Sequence, residues 1–342
     1  SAAYVPPPAA SSSSAPPPPP PPSSGSGTGG WTSVPPPSAP YNSSIGVSGG
    51  GAPPANYHWG ASLTEEAEEA LTFLVFVDNI LLDLLFYGSK NLTSGAWSNV
   101  YPQTITDSIN TASAQAYVHR YTATDSLQHY QKPVPPQCKY SYPIQKVDDW
   151  VEVLVILLKL TIGTIIDIQT TLASTDPWLV PLLSSSLGTK ARTGGLMNMM
   201  QNNAPAPAAR ESTMSPNLAY SYLWNNYVVP ASCKDDMPYT VLPELAITKV
   251  TKNAANRAIG ISVTLPSSIK ADNVYFAWWS GYGKIEYTHF ANGQTTIPAD
   301  LYGYAWVTAT NTTTATTMDD LAKSALSAPS MVWVSGPGST AM

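Results

Sequence analysis

The stretch WVEVLVILLKLTIGTIIDIQTTL, Trp150 to Leu172, decides the fold. Between Val151 and Ile168 only Glu152, Lys159, Thr161, Gly163, Thr164 and Asp167 interrupt the apolar residues. A helix apolar nearly all round has to be wrapped, by protein or by lipid. A bilayer span needs about 20 predominantly apolar residues with few or no charges. Lys159 falls mid-segment, where an unpaired charge costs at least ~2.5 kcal/mol in a membrane. The stretch therefore reads as the central helix of a soluble bundle, with no membrane span, and it needs three helices around it.

Those helices are legible. The first opens at Ser62-Leu63-Thr64-Glu65, a capping-box spacing followed by an acidic turn that suits the helix dipole. Its stripe is Leu71, Leu74, Val75, Asp78, Leu81, Leu82 and Leu85, a helical period with one carboxylate in the middle, and Gly88 is the expected stop. The second, about Thr104 to Gln131, repeats Ile105, Ile109, Ala112, Ala116, His119 and Ala123 until Pro133, Pro135 and Pro136 end it. The opening stretch is the third. Asp176-Pro177 starts the fourth, with an inward row of Leu179, Leu183, Ser186, Lys190, Thr193, Met197 and Met200. Four helices sharing one core describe a four-helix bundle. An aromatic crossover (Tyr220, Tyr222, Trp224, Tyr227) follows over 210–243.

After Pro243 the texture changes. LAITKVT, IGISVTL, VYFAWWS, KIEYTHF, YGYAWVTAT and MVWV are short β-rich runs divided by Gly, Pro, Asn and Asp, the pattern of a small β-sandwich. Trp278 and Trp279 should point to opposite faces, one into the core and the other free to meet a partner or a sugar. The fold class is thus α+β and multidomain. A Pro-rich extended arm (1–56) precedes a four-helix bundle with its crossover (57–243) and an Ig-like sandwich (244–342).

The arm holds 16 of the 33 prolines and no charged residue; the first is Glu65. The run Pro16 to Pro22 favours a polyproline II rod of roughly 22 Å. A disordered, O-glycosylated stalk is the bland alternative. Against it, apolar anchors recur along the arm at Tyr4, Val5, Trp31, Val34 and Tyr41.

Only 11% of the residues are charged and the net charge is −6, with no basic stripe, which argues against nucleic acid as a partner. Secretion is the expected compartment. The chain opens on Ser1 without a hydrophobic leader, the form left after signal removal. Asn42, Asn91 and Asn311 begin glycosylation sequons. The two cysteines, Cys138 and Cys233, are either one extracellular disulfide or two buried thiols.

Together DNILLDLLFYG (78–88), AYVH (116–119), CKYSYPI (138–144) and the segment from Leu218 through Trp224 and Cys233 to PELAITK (243–249) resemble the fungal extracellular ferritin-like proteins of the sexual-development or stress-responsive type. The resemblance covers about residues 57 to 250; the sandwich matches only in kind and the arm is not covered. It implies a bundle able to hold two irons through a Glu on each of two helices and a Glu-x-x-His on each of the others. On this chain the first Glu falls at Asp78 and the first Glu-x-x-His at Ala116 and His119. The third helix offers Ile162, and the last motif becomes Lys190 and Thr193. Only Asp78 and His119 can still ligate, and an Ile and a Lys oppose a hard dinuclear site. We therefore expect no metal and no cofactor. Lys190 should occupy the old metal position and pair with Asp78, beside His119. The alternative is that Lys190 reaches solvent and Asp78 bonds a Tyr or Thr.

Other chemistry is thin. His58, His129 and His289 read as structural or exposed, and no G-x-S-x-G, H-E-x-x-H, phosphate loop or Cys-x-x-Cys occurs. The leading expectation is a non-catalytic, secreted structural protein of the cell surface or matrix. Its arm would dock on a neighbouring subunit to build a homo-oligomer or filament. A di-iron-type oxidoreductase and an adhesive module that binds cell-wall polysaccharide are the alternatives.

Overall fold

The computed structural model describes residues 40–51, 59–270, 273–282 and 284–335. The described residues form a mixed structure of seven helices and two antiparallel sheets. α1 is short, Ser43–Ser48; then come four long helices, α2 (Glu65–Ser94), α3 (Gln103–His129), α4 (Val147–Thr175) and α5 (Val180–Met200). The last is entered through a 3-10 turn, Pro177–Leu179. α6 (Pro216–Tyr227) lies in the crossover, where the sequence suggests no regular element.

α4 is buried along most of its length, as its composition requires. Its interior hydroxyls bond their own helix, Thr161 to the Leu157 carbonyl at 2.7 Å and Thr164 to that of Leu160 at 2.9 Å. Gly163 lets the crossover backbone touch the helix, with the Met214 amide donating to its carbonyl at 3.1 Å. A Cβ at Gly163 would stand 2.6 Å from the Ser212 carbonyl oxygen. Lys159 leaves the core as an ion pair with Glu211 at 2.7 Å. Among the described residues α2, not α4, is long and apolar enough to cross a membrane; most of it is buried inside the protein.

Two expectations about α2 need correction. Its cap is Thr64, whose side chain accepts from the Ala67 amide, so the capping spacing at Ser62 is not used. Gly88 does not stop the helix, which runs six residues further, because Gly88 is where Trp150 packs. A Cβ there would lie 2.0 Å from the Trp150 ring. The absent side chain serves a contact between helices rather than a left-handed turn.

Cys138 and Cys233 form a disulfide with Cα atoms 5.0 Å apart. It closes a loop of 95 residues, worth about 4.7 kcal/mol in the chain-entropy account.

One sheet has the order β1 (Ala246–Lys252), β2 (Ala258–Thr264), β5 (Gln294–Thr296). The other runs β4 (Glu286–His289), β3 (Tyr275–Trp279), β6 (Gly303–Thr310), β7 (Ser330–Ser335). The six β-rich runs are all strands; β5 and a short helix, α7 (Met318–Ser324), are additions. The sheets bury Ile261, Val263, Phe276, Trp278 and Val307 between them. The second face of the larger sheet, through Ala277, Trp279 and Trp306, joins the core of the helices. The core of the helices therefore continues past residue 243, while the core between the sheets lies wholly beyond it.

That double burial overturns a free tryptophan in β3. Trp278 and Trp279 do face opposite ways, yet both are buried. Trp278 donates its indole N–H to Thr288 Oγ1 at 2.8 Å, and Trp279 donates to the Thr213 carbonyl at 2.7 Å. Neither is available to a sugar.

Candidate functional site

The inward faces of α2, α3 and α5 bring Asp78, His119 and Lys190 together. Lys190 Nζ stands 3.0 Å from Asp78 Oδ1, an ion contact without good hydrogen-bond alignment. The same ammonium lies 3.2 Å from His119 Nδ1 and donates to Ser186 Oγ at 3.1 Å. Both charged side chains are less than 5% exposed. The lysine pairs with Asp78 instead of reaching solvent. Ala116, His119, Lys190 and Thr193 line one void of about 10 Å3 with Leu158. Ile165 lines a second, larger cavity beside Asp78. Ile162 is fully buried on the α4 face between Leu158 and Ile165, by helical spacing.

Burial governs the charges. It pushes the Asp78 carboxyl up, against the lowering pull of Lys190 and then Arg120. It holds His119 well below the usual imidazole range, and the Lys190 ammonium adds to that. A neutral His119 that accepts on Nδ1 carries its proton on Nε2. Arg120 is the residue the periodicity reading misses. Only 1% exposed, it lies 5.4 Å over the Tyr117 ring and feels Asp78 and Tyr140. His119 is a ligand type on the expected stripe, whereas Arg120 falls one residue off it.

The cluster thus holds one carboxylate and two cationic side chains. A dinuclear metal centre needs several anionic oxygens to offset its charge. Here an ammonium fills the space between acid and imidazole, so these residues do not fit such a centre. Among the described residues no group of three or more His, Cys, Asp or Glu is placed to hold a metal.

A second buried polar row lies toward the disulfide. Asp83, 5% exposed, accepts from the Tyr142 hydroxyl at 3.1 Å, and burial pushes its carboxyl up to about 7. Tyr140 is fully buried and its hydroxyl accepts from the Cys138 amide at 3.4 Å. Asp83 follows Asp78 by five residues, off the expected stripe, and only the fold of CKYSYPI brings the tyrosines to it.

The remaining candidates disperse. His129 is exposed and stacks on Trp59 at 4.0 Å; His289 is exposed on β4; His58 lies outside the described residues. Asn311 is exposed in the loop after β6, and Asn42 is exposed and caps α1. Asn91 is half-buried in the last turn of α2, with its amide donating to the Tyr87 carbonyl at 2.9 Å. Of the arm anchors, Tyr4, Val5, Trp31 and Val34 lie outside the described residues. Tyr41 packs on α3, its ring 4.9 Å from Tyr121 and 5.9 Å from Tyr117, and the Asn42 amide donates to the Tyr117 hydroxyl at 2.5 Å. A cleft of about 700 Å3 between the helices and the sheets carries Glu66, Glu69, Asp167 and Asp319. Burial first, and Asp319 second, push the Asp167 carboxyl up to about 7.

No protein-family model matches this chain, and no curated protein matches it in sequence.

Proposed function

We propose that the chain is a secreted, non-catalytic structural protein of the cell surface or extracellular matrix, built on a ferritin-like four-helix bundle and an Ig-like sandwich. The observation that carries this reading is Lys190. At the position where a ferritin-like relative would place metal, an ammonium pairs with the one remaining carboxylate at 3.0 Å. Charge pairing then stands in the place of metal, and the bundle serves as a rigid body. The disulfide agrees with an oxidising compartment.

Assembly proceeds through the proline-rich arm docking on a neighbouring subunit. The seating of Tyr41 and α1 on α3 supports this, because it anchors the end of the arm nearest the bundle. A proline-rich segment arrives already extended and loses little entropy when it docks in an aromatic groove. Contacts of this head-to-tail kind close into rings or extend as filaments.

The test is a truncation at residue 39, which spares the part packed on α3. The shortened protein should remain folded, with the full chain's thermal transition, and sediment as a monomer where the full chain assembles. Assembly of the truncated protein to the same size removes the arm from the account.

A further inference from the structure

The four long helices enclose a cavity of about 190 Å3 beside the Asp78–Lys190 pair. Its wall is apolar, with Leu71, Leu74, Ile165 and Leu183 among the buried lining residues. Val118 and Leu182, half-buried, and Ser185, exposed, frame the mouth. Asp78 and His119 reach it as its ionisable groups. An apolar cavity of roughly 150 Å3 takes up benzene, so this one suits a single ring or a short chain.

The polar groups decide what kind. Two wall hydroxyls are bonded along their own helix: Thr122 donates to the Val118 carbonyl at 2.9 Å, and Ser126 to that of Thr122 at 2.9 Å. Ser186 accepts from Lys190. The ammonium is shared among Asp78 Oδ1, His119 Nδ1 and Ser186. The two ionisable groups each keep one capacity. The second carboxylate oxygen of Asp78 can accept, and His119 Nε2–H can donate, since its tautomer is set by the bond at Nδ1.

A hydroxyl answers both, because its proton goes to the carboxylate while its oxygen accepts from the imidazole. An anion would face Asp78, and a cation would face Lys190 and Arg120, so the ligand is neutral. We propose that this cavity binds a small apolar molecule bearing one hydroxyl, a phenol or a short-chain alcohol. Its ring or chain lies among the leucines and its hydroxyl bridges Asp78 and His119. A purely apolar ligand would leave both buried groups without that partner, at a cost in affinity.

Two probes of equal size separate the classes: 4-methylphenol and p-xylene, titrated into the full-length protein by calorimetry and ligand-observed NMR. The expected result is saturable one-to-one binding of 4-methylphenol, at least about tenfold tighter than p-xylene. Ala123→Leu, which fills the cavity from its wall, should abolish binding while the thermal transition is retained. Leu182→Trp at the half-buried mouth does the same without touching the core and serves where the first variant fails to fold. Equal affinity for the two probes, no saturable binding, or binding unchanged in a folded cavity-filling variant overturns the proposal.

Discussion

Removing Asp78 and Lys190 together should cost less than the sum of removing each alone. Their charges meet at 3.0 Å, a gross attraction of about 5.5 kcal/mol at an effective dielectric of about 20. Desolvation of both groups offsets much of that. Asp78→Asn leaves the Lys190 and Arg120 cations buried without their acid, and the cost of an uncompensated buried charge is about 3–5 kcal/mol. Lys190→Met costs less, about 2–3 kcal/mol, because Arg120 still attracts Asp78 and the carboxyl can take up a proton. The double variant removes acid and ammonium together and should cost only about 3 kcal/mol, giving a coupling of roughly 2–5 kcal/mol. Urea unfolding followed by tryptophan fluorescence reads each value, with the denaturant slope as the check on a common unfolded state. The Lys190→Met variant adds a pH signature. Its unpaired Asp78 has a folded pKa further above the unfolded one, so the folded state holds the extra proton. Its stability then falls as pH rises through that window, and the penalty should be smaller at pH 5 than at pH 8. Single costs that add within about 0.5 kcal/mol refute the pairing.

Three further outcomes follow from particular contacts. Asp83 is raised from 3.8 to about 7, so it drains stability as pH climbs between those values, by about 1.4 kcal/mol per unit. Asp83→Asn keeps an acceptor for Tyr142 and should be more stable than the parent at pH 8, by about 2–4 kcal/mol, and equal to it near pH 4; parallel pH profiles would contradict this. Gly88→Ala gains about 1 kcal/mol of helix propensity but drives a methyl into Trp150, so a net loss of about 1–3 kcal/mol is expected in the same unfolding assay. Glycopeptide mapping of protein secreted by a eukaryotic host should find glycan at Asn42 and Asn311 and none at Asn91, whose amide is bonded inside α2; a glycan at Asn91 would mean that this turn opens.

The sequence makes the long elements legible because their faces repeat. Leu71 to Leu85 and Leu179 to Met197 each point one way at helical spacing, and the inward placement of Asp78 and Lys190 follows from that alone. Runs such as VYFAWWS need only alternation and turn residues. What escapes is set by partners distant in the chain. α6 reads as loop because its twelve residues carry aromatics all round. β5 is three residues long, below any usable period. Gly88 looks like a terminator until Trp150, 62 positions later, needs its space. Trp279 looks spare because nothing local announces that the larger sheet is buried on both faces. The candidate site is legible in the same uneven way. The acid, the imidazole and the ammonium lie on predicted faces, while Arg120 and the Asp83–Tyr142 contact depend on how α3 and the CKYSYPI link pack.

The proposed function depends on an ammonium at the position where a ferritin-like bundle would place metal. Metal analysis of the purified protein tests that most directly, after incubation with ferrous iron under argon and removal of the excess. Retention far below one equivalent per chain, with unfolding unchanged by the metal, is the predicted result. A stoichiometric pair of irons that stabilises the fold and is lost in Asp78→Asn would contradict it.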